Sequence, residues 1–455
     1  MKYKIIIYSL FLGCVGWTSC KKSVYLDAKP NDALVVPETL SDFQALLDND
    51  AFMNGSGSGL TPDFVQIGSD DAYVTTALNN LPIYFQDLYV WDDGIASNFG
   101  DWPWAYRTAF YANNVLDGIS GMTIPPAQQT SFNNIKGSAL FYRSYIFYHL
   151  AQVYAPPYDQ ITAGKDWGIV LRLSSGVDEK IERSTVQQTY DRIIADLKTS
   201  IPLLPLTPLY KTRPSKPAAY GALARTYLSM RDYNNALLYA DSCLQLENGL
   251  LDYNTINPGS PTNSSFSRFN GEVIFQSLEI LNALTGSLRV DSLLYRSYDS
   301  LDLRKSLFFT SRSDGYGFRG SYDGTYLLFS GLAIDEMYLI RAECYARTGD
   351  APHALADLNA LMTKRWVNNG SFIPYTATDA ADALNKILTE RRKELAFRGA
   401  RWSDLRRLNK EGANITITRV MKGQTYTLPP GSLKYTYLIP PSVIGFNPNM
   451  PQNPR

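Results

Sequence analysis

The sequence predicts a mostly α-helical protein in which helical hairpins are joined by long irregular loops. Two aligned internal segments have the pattern of paired helices, and three further segments carry apolar residues at helical spacing. Long stretches rich in Gly, Ser, Asn, Pro and Tyr separate these helical segments. With 45% apolar and 19% charged residues among 455, the composition is that of a globular chain.

The two aligned segments are ARTYLSMRDYNNALLYADSCL, from Ala224, and AECYARTGDAPHALADLNALM, from Ala342. They align without a gap, so that Asp232 of the first corresponds to Asp350 of the second, in the polar turn between two helical patterns. Small residues at helical spacing let two helices pack closely, which is the pattern of a tetratricopeptide hairpin. Each hairpin must bury its apolar face against another, so neighbouring helices are expected.

Further helices are predicted at 135–154, 184–204 and 380–408. Together with the hairpins, they place tetratricopeptide-like helices at about 135–246 and 332–408.

The irregular stretches lie at about 50–104 and 250–330. Loops of this length in a compact protein are usually functional. We therefore expect these two regions to bind the ligand.

The N-terminus has the features of an export signal. Two lysines within the first four residues precede an almost wholly apolar run at 5–17, which has the length of a signal-peptide core and is too short to span a bilayer. The small residues that follow, up to Cys20, resemble a bacterial lipobox, which predicts a signal peptide at 1–19 and lipidation of Cys20. Two alternatives remain open: cleavage at Cys14, and an ordinary secreted protein in which Cys20 is unmodified.

Charge and cysteine content narrow the possible functions. The chain has 43 basic and 43 acidic side chains, which gives no general attraction to nucleic acid. Cys243 and Cys344, the cysteines beyond the N-terminus, lie inside helical patterns. We expect both to be small buried side chains and not part of a disulfide framework.

The most highly charged segment is ILTERRKELAFRGARWSDLRRL, from Ile387. Its apolar residues keep helical spacing, and Arg391 with Glu394 and Glu394 with Arg398 have separations that pair charges along one helix. We therefore predict an internally paired helix here and not a nucleic-acid-binding patch.

Within this segment, ERRKELAFRGARWSDLRR resembles the C-terminal signature of the SusD/RagB family, surface lipoproteins that accompany TonB-dependent transporters in Bacteroidetes. Other matches to the family run the length of the chain: YLDAKP from Tyr25, WPWAYRTAFYANNVLD from Trp102, RSTVQQTYDRIIADLKTSIPLLP from Arg183 and the final LIPPSVIGFNPNMPQNPR. The resemblance covers essentially all of the mature chain, so we predict a single SusD-like domain at 20–455.

The resemblance implies a mostly α fold with minor β structure and a protein anchored through Cys20 at the outer face of the outer membrane. It also implies binding of an oligosaccharide or polysaccharide and its delivery to a SusC-like TonB-dependent transporter, with the tetratricopeptide-like helices on the transporter side. Two alternatives stay open. One is a peptide-binding lid of the RagB kind, and the other is a scaffold subunit of the transporter with no ligand of its own.

Sugars present apolar C–H faces and a rim of hydroxyl groups, so aromatic rings bind the faces while amides, carboxylates and guanidinium groups bind the rim. The expected stacking platforms, both in the first loop region, are Trp91 and Trp104. The expected rim residues, from both loop regions, are Asp70, Asp92, Asn98 and Tyr316. For each residue the alternative is a structural role, because aromatic residues more often lie in a core.

Neither catalysis nor metal binding is expected. A glycosidase needs two carboxyl groups a few ångströms apart with one held protonated, whereas arginines near Glu390 and Glu394 would keep both ionised. The two histidines, His149 and His353, lie in helical patterns and are expected to be structural. The sequence has no phosphate-binding loop, catalytic-serine motif or metal-cluster spacing, so no cofactor is predicted.

Overall fold

A computed structural model describes residues 37–57, 59–75, 82–93, 101–176, 181–259, 264–280 and 287–455. The predicted signal peptide, Cys20 and Asn98 lie outside these ranges. The α-helices are α1 Leu40–Leu47, α2 Asp50–Met53, α3 Phe64–Ile67, α4 Ile83–Tyr89, α5 Pro103–Ile119, α6 Gln129–Tyr154, α7 Val186–Ser200, α8 Lys216–Met230, α9 Tyr233–Leu244, α10 Ser292–Ser297, α11 Leu303–Phe308, α12 Ile334–Arg347, α13 Ala351–Thr363, α14 Ala380–Glu394, α15 Ala400–Lys410 and α16 Pro441–Phe446. The strands are β1 Ala72–Val74, β2 Trp167–Val170, β3 Arg183–Thr185, β4 Val273–Phe275, β5 Leu288–Val290, β6 Phe309–Arg312, β7 Gly315–Phe318, β8 Leu332–Ala333, β9 Ile417–Met421 and β10 Gln424–Leu428.

Both hairpins expected from the internal repeat are present. α8 packs against α9, α12 packs against α13, and α9 packs against α12, so the two hairpins lie side by side. Asp232 and Asp350 occupy equivalent positions: each caps the second helix of its hairpin, accepting a hydrogen bond from the N–H of Asn235 at 3.1 Å or of His353 at 3.2 Å. The prediction of tetratricopeptide-like hairpins is confirmed.

The 26-residue helix α6 is buried around most of its circumference, because α5 packs on one side and α7 on another. Its one buried arginine, Arg143, donates two hydrogen bonds of 2.8 and 3.0 Å to Asp196 of α7. At Gly137 an added Cβ would lie 2.9 Å from Cβ of Leu203, so the glycine lets the chain after α7 approach. Despite this burial, no helix in the described ranges is both long and apolar enough to cross a membrane.

The two loop regions are less irregular than the sequence predicted. Region 50–104 contains α2, α3, β1 and α4, and region 250–330 contains β4, β5, α10, α11 and the β6–β7 hairpin. The strands of the described residues pair as two-stranded antiparallel sheets, and β1 pairs with the distant β5. Elements this short depend on tertiary pairing, so sequence periodicity does not reveal them.

The charged segment forms α14 and α15, and charges pair along both helices: Lys393 with Glu390, and Arg407 with Asp404, each at 2.9 Å. The two pairs that the spacing predicted, which both involve Glu394, are not among the ion pairs of the described residues. Arg391 donates to Asp404 at 2.9 Å, and Arg398 forms an ion pair of 2.8 Å with Asp335 of α12. The predictions of helix and of pairing along it are confirmed, but the two specific pairs predicted are wrong, because Arg391 and Glu394 are buried against other elements. Charges on a buried helix find their partners across the core.

Glu394 lies at the centre of a buried ionic network. Its Oε1 accepts from Arg365 at 2.7 Å and its Oε2 from Arg304 at 3.0 Å, and all three side chains are 0% exposed. Arg365 also donates to Glu272 at 2.8 Å, and Arg304 to Asp302 at 2.7 Å. Ion pairs therefore hold the second loop region to the helices.

Cys243 and Cys344 are free and buried, as predicted. The Sγ of Cys243 donates to the carbonyl oxygen of Pro217 at 3.3 Å. Burial raises the pKa of both thiols, which keeps them protonated and unreactive.

Candidate functional site

The two predicted loop regions contact each other. The N–H of Leu60 donates to the carbonyl oxygen of Leu278 at 2.9 Å. Gly59 next to it has φ of 84°, and a Cβ at this position would lie 2.1 Å from the carbonyl oxygen of Glu279. Glycine is therefore required for this approach, which brings residues of both regions side by side.

Four side chains from α2 and α5 form an aromatic cluster that contains one cation. Trp104, Arg107 and Tyr111 have the i, i+3, i+7 spacing of one helix face on α5. The ring centroid of Phe52, on α2, is 5.3 Å from that of Tyr111 and 3.9 Å from the guanidinium carbon of Arg107. This carbon also lies 5.9 Å from the Trp104 ring. We call Phe52, Trp104, Arg107 and Tyr111 the Trp104 site.

All four side chains of the Trp104 site are partly exposed. Within the described ranges, the indole N–H of Trp104 has no acceptor, and Arg107 has neither an acceptor nor an acidic partner; its Nε is buried and unbonded. Desolvation by burial lowers the pKa of Arg107. The site thus offers rings for the apolar face of a ligand and N–H donors for its polar rim.

An ion pair links the second loop region to α2, the helix that carries Phe52. Asp50 of α2 lies 3.9 Å from Arg268, whose guanidinium carbon is 4.7 Å from the ring of Phe269. Phe269 is 40% exposed and has φ of 60°, a backbone conformation that is uncommon for a bulky residue. An exposed ring held in this way is available to a ligand.

A second aromatic cluster surrounds Tyr316. Its ring stacks on that of Tyr295, with centroids 3.6 Å and planes 14° apart. Tyr73 of β1 is paired with Arg289 of β5, and its O–H donates to the carbonyl oxygen of Asp314 at 3.2 Å. The Asp314 carboxylate accepts two hydrogen bonds from Arg289, of 2.7 and 3.1 Å. We call these five residues the Tyr316 site.

Burial, together with the Tyr316 hydroxyl, raises the pKa of Tyr295 to about 12, so the Tyr295 phenol stays neutral at physiological pH. The charges of the Tyr316 site are paired with each other, which distinguishes it from the Trp104 site. In the part of the chain that the structure describes, no hydrogen bond or ring contact joins the two sites.

The structure places Trp91 in the core, contrary to its expected role as a stacking platform. Its side chain is 2% exposed, and its Nε1–H donates to the carbonyl oxygen of Gly68 at 3.0 Å. The guanidinium carbon of Arg419 lies 4.6 Å from its ring. A ring enclosed in this way presents no face to a ligand.

The carboxylate of Asp70 already binds two arginines, so it is poorly placed to bind the hydroxyl rim of a sugar. It accepts hydrogen bonds of 2.7 and 2.9 Å from Arg401 and lies 3.3 Å from Arg392. Burial opposes ionisation, but these arginines outweigh it and lower the pKa of Asp70 to about 2. Asp92 is exposed, just beyond α4, and remains a predicted rim residue. The prediction for Asn98 falls outside the described ranges.

The sequence predicted only Trp104 and Tyr316 of the two sites and missed their other members, among them Phe52, Arg107 and Tyr295. A signal for Arg107 was available, because it stands three residues after Trp104 in the helical motif WPWAYRTAFYANN. Phe52 and Tyr295 had no local signal, since each joins its site through a contact with a distant segment.

Three carboxyl groups within the two loop regions, those of Asp63, Asp101 and Glu279, are buried and at most 3% exposed. Asp101 accepts from the N–H of Asp63 at 3.0 Å, and neither carboxyl oxygen of Glu279 has a hydrogen-bond partner in the described structure. Burial raises the pKa of Asp101 to about 6 and, together with the charge of Asp101, raises the pKa values of Asp63 and Glu279 well above their usual range. The folded protein therefore holds protons that the unfolded chain releases.

This proton uptake predicts a pH-dependent stability. A carboxyl whose pKa is raised in the folded state stabilises the fold less as pH rises above its unfolded value, so stability falls from about pH 4 to about pH 6. Folding raises the pKa of Asp101 from 3.8 to about 6, which corresponds to a loss of about 3 kcal/mol in the free energy of unfolding as pH rises through this range. The variant Asp101→Asn should not show this loss. Urea unfolding at intervals across this range measures the effect, with Asp92→Asn as an exposed control. Parallel profiles for wild type and Asp101→Asn would contradict it.

One group of acids in the described ranges has the spacing of a metal site. Carboxylate oxygens of Glu272, Asp335 and Glu394 lie within 4.8 Å of one another. Arg365 bridges Glu272 and Glu394, and Arg398 pairs with Asp335. These guanidinium groups already supply the positive charge that a metal would bring, so the cluster does not fit a cation.

An apolar groove of about 420 Å³ between α5 and α16 is a second possible ligand position. Its aromatic wall consists of Trp102, Tyr106, Phe110 and Phe446. The Tyr106 hydroxyl donates to the carbonyl oxygen of Val170 at 2.8 Å, so this polar group is already bonded. The groove therefore offers apolar surface with few free hydrogen-bonding groups.

Comparison with known proteins matches most of the chain to one family. A family model described as "Starch-binding associating with outer membrane" matches residues 24–228, and a model described as "SusD family" matches residues 334–455. A SusD-like protein of Formosa agariphila is 24% identical over 432 residues, covering 80% of this chain and 81% of the relative.

Solved structures share the fold. A putative sugar-binding protein from Bacteroides vulgatus has a TM-score of 0.73 at 23% identity, covering 92% of this chain and 99% of its own. A SusD superfamily protein from Bacteroides thetaiotaomicron has a TM-score of 0.71 at 21% identity, with coverage of 92% and 100%. Surface glycan-binding protein A from Bacteroides uniformis has a TM-score of 0.67 at 18% identity, with coverage of 91% and 99%.

Proposed function

Because the chain belongs to the SusD/RagB family, we propose that it is a cell-surface lipoprotein that binds oligosaccharides or polysaccharides and delivers them to a SusC-like TonB-dependent transporter. Carbohydrate binding is supported for the family as a whole, by the starch-binding description of its first model and by a glycan-binding structural neighbour. The transporter partner and the delivery step are inferred from the family resemblance of the sequence motifs.

The observation that carries the binding proposal for this chain is the Trp104 site. Its three rings are partly exposed, and Trp104 keeps an unbonded N–H. An aromatic ring with a hydrogen-bond donor beside it matches the apolar face and hydroxyl rim of a pyranose. The Tyr316 site is the second candidate, with Tyr73, Tyr295 and Tyr316 as its partly exposed rings.

We propose that binding takes place without catalysis. Asp70 and Asp71 have pKa values pushed apart, to about 2 and about 6, as in a glycosidase, whereas those of Asp63 and Asp101 are both raised. Neither pair is available to a ligand. Asp63 and Asp101 are buried at 3% and 2% exposure. Asp70 and Asp71 are engaged by Arg392, at 3.3 and 3.0 Å. Turnover of any glycan by the purified protein would contradict this proposal.

The lipid anchor at Cys20 is supported by the signal-peptide and lipobox patterns of the sequence and by the outer-membrane association of the family. A lipid with several acyl chains would hold the protein stably at the membrane, whereas a single chain would not. Incorporation of a labelled fatty acid into the wild type, and its absence in Cys20→Ala, would test the anchor.

The binding proposal is tested by Trp104→Ala. Native affinity electrophoresis against plant, algal and host polysaccharides should identify a polymer that retards the wild type. Trp104→Ala should weaken that binding at least tenfold, since a central aromatic anchor contributes about 2 kcal/mol or more. The melting temperature should change little, because the ring is partly exposed.

Trp167→Ala is the matched control, because this tryptophan is 45% exposed and lies on β2, outside both aromatic sites. Loss of binding in the control alone would instead place the ligand at a separate pocket lined by Trp167, Arg183 and Pro448. If no polysaccharide is retarded, peptide cargo or a scaffold role replaces glycan binding, and peptide-library binding separates these two.

A further inference from the structure

We infer that the Trp104 site selects glycans that carry an anionic group, a uronate carboxylate or a sulfate ester, and that Arg107 binds this group. The inference rests on the proposed function, because it specifies the ligand of the same site. The observation that carries the inference is that the charge of Arg107 has no acidic partner among the described residues.

Arg107 differs from three other arginines near the loop regions, each of which has a carboxylate partner. Arg213 forms an ion pair with Asp48 at 2.5 Å, Arg289 with Asp314 at 2.7 Å, and Arg268 with Asp323 at 3.3 Å. Among the described residues, no carboxylate lies within ion-pair distance of Arg107. Its guanidinium group instead makes cation–π contacts with the rings of Phe52 and Trp104. Its positive charge is therefore not compensated by any acidic residue that the structure describes.

The position of Arg107 makes this lack of a partner costly. The side chain is partly buried, and its Nε has no access to solvent and no acceptor. A polar group that has lost water without gaining a partner costs free energy, and the cost is larger for a charged group. A ligand anion that reaches Arg107 recovers this cost, whereas a neutral hydroxyl recovers only part of it.

The geometry of Arg107 also suits a planar or trigonal anion. Its guanidinium carbon lies 3.9 Å from the Phe52 ring centroid, which restrains the group before ligand binds. A restrained guanidinium binds carboxylate or sulfate oxygens in a two-point arrangement at a smaller entropic cost than lysine would. With Trp104 next to it, one sugar unit can stack on the indole while its acidic substituent reaches Arg107.

Carboxylate and sulfate share this chemistry, and paired oligosaccharides distinguish them. Calorimetry would compare oligogalacturonides with their methyl esters, and carrageenan oligosaccharides with neutral agarose oligosaccharides. In each pair the two oligosaccharides have related sugar backbones, and the second member lacks the negative charge of the first. We expect one acidic member to bind at least tenfold more tightly than its neutral partner, with an affinity that falls as salt increases.

Arg107→Gln should abolish this preference, reducing affinity for the acidic ligand at least tenfold while leaving that for its neutral partner nearly unchanged. Arg107→Lys, which keeps the charge and loses the planar fork, should retain an intermediate preference. Arg192→Gln is the control for net charge, because Arg192 is 38% exposed on α7 and pairs with Asp196 in a turn of the same helix. The melting temperature of Arg107→Gln should equal or exceed that of wild type, since the substitution removes an unpaired charge.

Two results would overturn the inference while leaving glycan binding intact. One is binding of neutral glycans with no preference for their acidic partners. The other is a preference for acidic glycans that Arg107→Gln and Arg192→Gln reduce equally. If the wild type binds no glycan of any kind, the proposed function itself fails.

Discussion

Glu394→Gln should destabilise the protein by about 3–5 kcal/mol, because it removes a negative charge from a buried ionic network. The wild-type carboxylate accepts from Arg365 at 2.7 Å and from Arg304 at 3.0 Å, and none of these side chains is exposed. Glutamine has nearly the same shape, so little of the loss comes from packing. Its amide N–H₂ would, however, face guanidinium donors, and two buried cations would lose half of their shared acceptor.

Guanidinium-induced unfolding at neutral pH measures this effect as a lower transition midpoint. The control is Asp314→Asn, which breaks a pair of similar geometry, with hydrogen bonds of 2.7 and 3.1 Å to Arg289, at a surface position. Solvent screens the surface pair, so its loss should be far smaller. Equal shifts for the two variants would show that burial does not determine the strength of these ion pairs.

The network also shows which part of the fold the sequence could predict. The helical spacing of the charged segment predicted α14 and α15, and the aligned Asp232 and Asp350 predicted both hairpins, because helix periodicity and capping are local properties. Local spacing also suggested the pairing of Glu394 with Arg398. That prediction was wrong because the true partners, Arg304 and Arg365, come from segments brought close only by the tertiary fold.

The same limit explains the outcome for the two tryptophans. Trp91 and Trp104 both lie in the first loop region beside acidic or amide residues, and the sequence contains no local pattern that separates their roles. The two tryptophans differ in the exposure of their side chains, since Trp91 is buried and Trp104 is partly exposed. Trp91 lies just beyond α4 and turns inward to Gly68, whereas Trp104 lies on the face of α5 that meets Phe52 and Arg107. Arg107 could have been recognised from its helical spacing to Trp104, but its lack of an acidic partner is a property of the three-dimensional structure.

The charges around the two aromatic sites suggest different roles in the proposed function. At the Tyr316 site Arg289 is neutralised by Asp314, and the stacked rings of Tyr295 and Tyr316 cover one another. That arrangement is largely complete without a ligand. Within the described part of the chain, the Trp104 site has a cation without an acidic partner and an indole N–H without an acceptor, so it gains more from a bound molecule.

Trp91→Ala should lower the free energy of unfolding by about 3–5 kcal/mol, the usual cost of removing a large buried aromatic ring. The ring is 2% exposed, its N–H bonds to Gly68, and its removal would leave Arg419, at 4.6 Å, beside a cavity. Because Trp91 has φ of 55°, Trp91→Gly should be no less stable than Trp91→Ala, although glycine usually destabilises a protein more than alanine. Thermal and urea unfolding of both variants, with glycan affinity measured well below their transitions, test this structural role. Lost affinity with an unchanged melting temperature would instead restore Trp91 as a ligand platform.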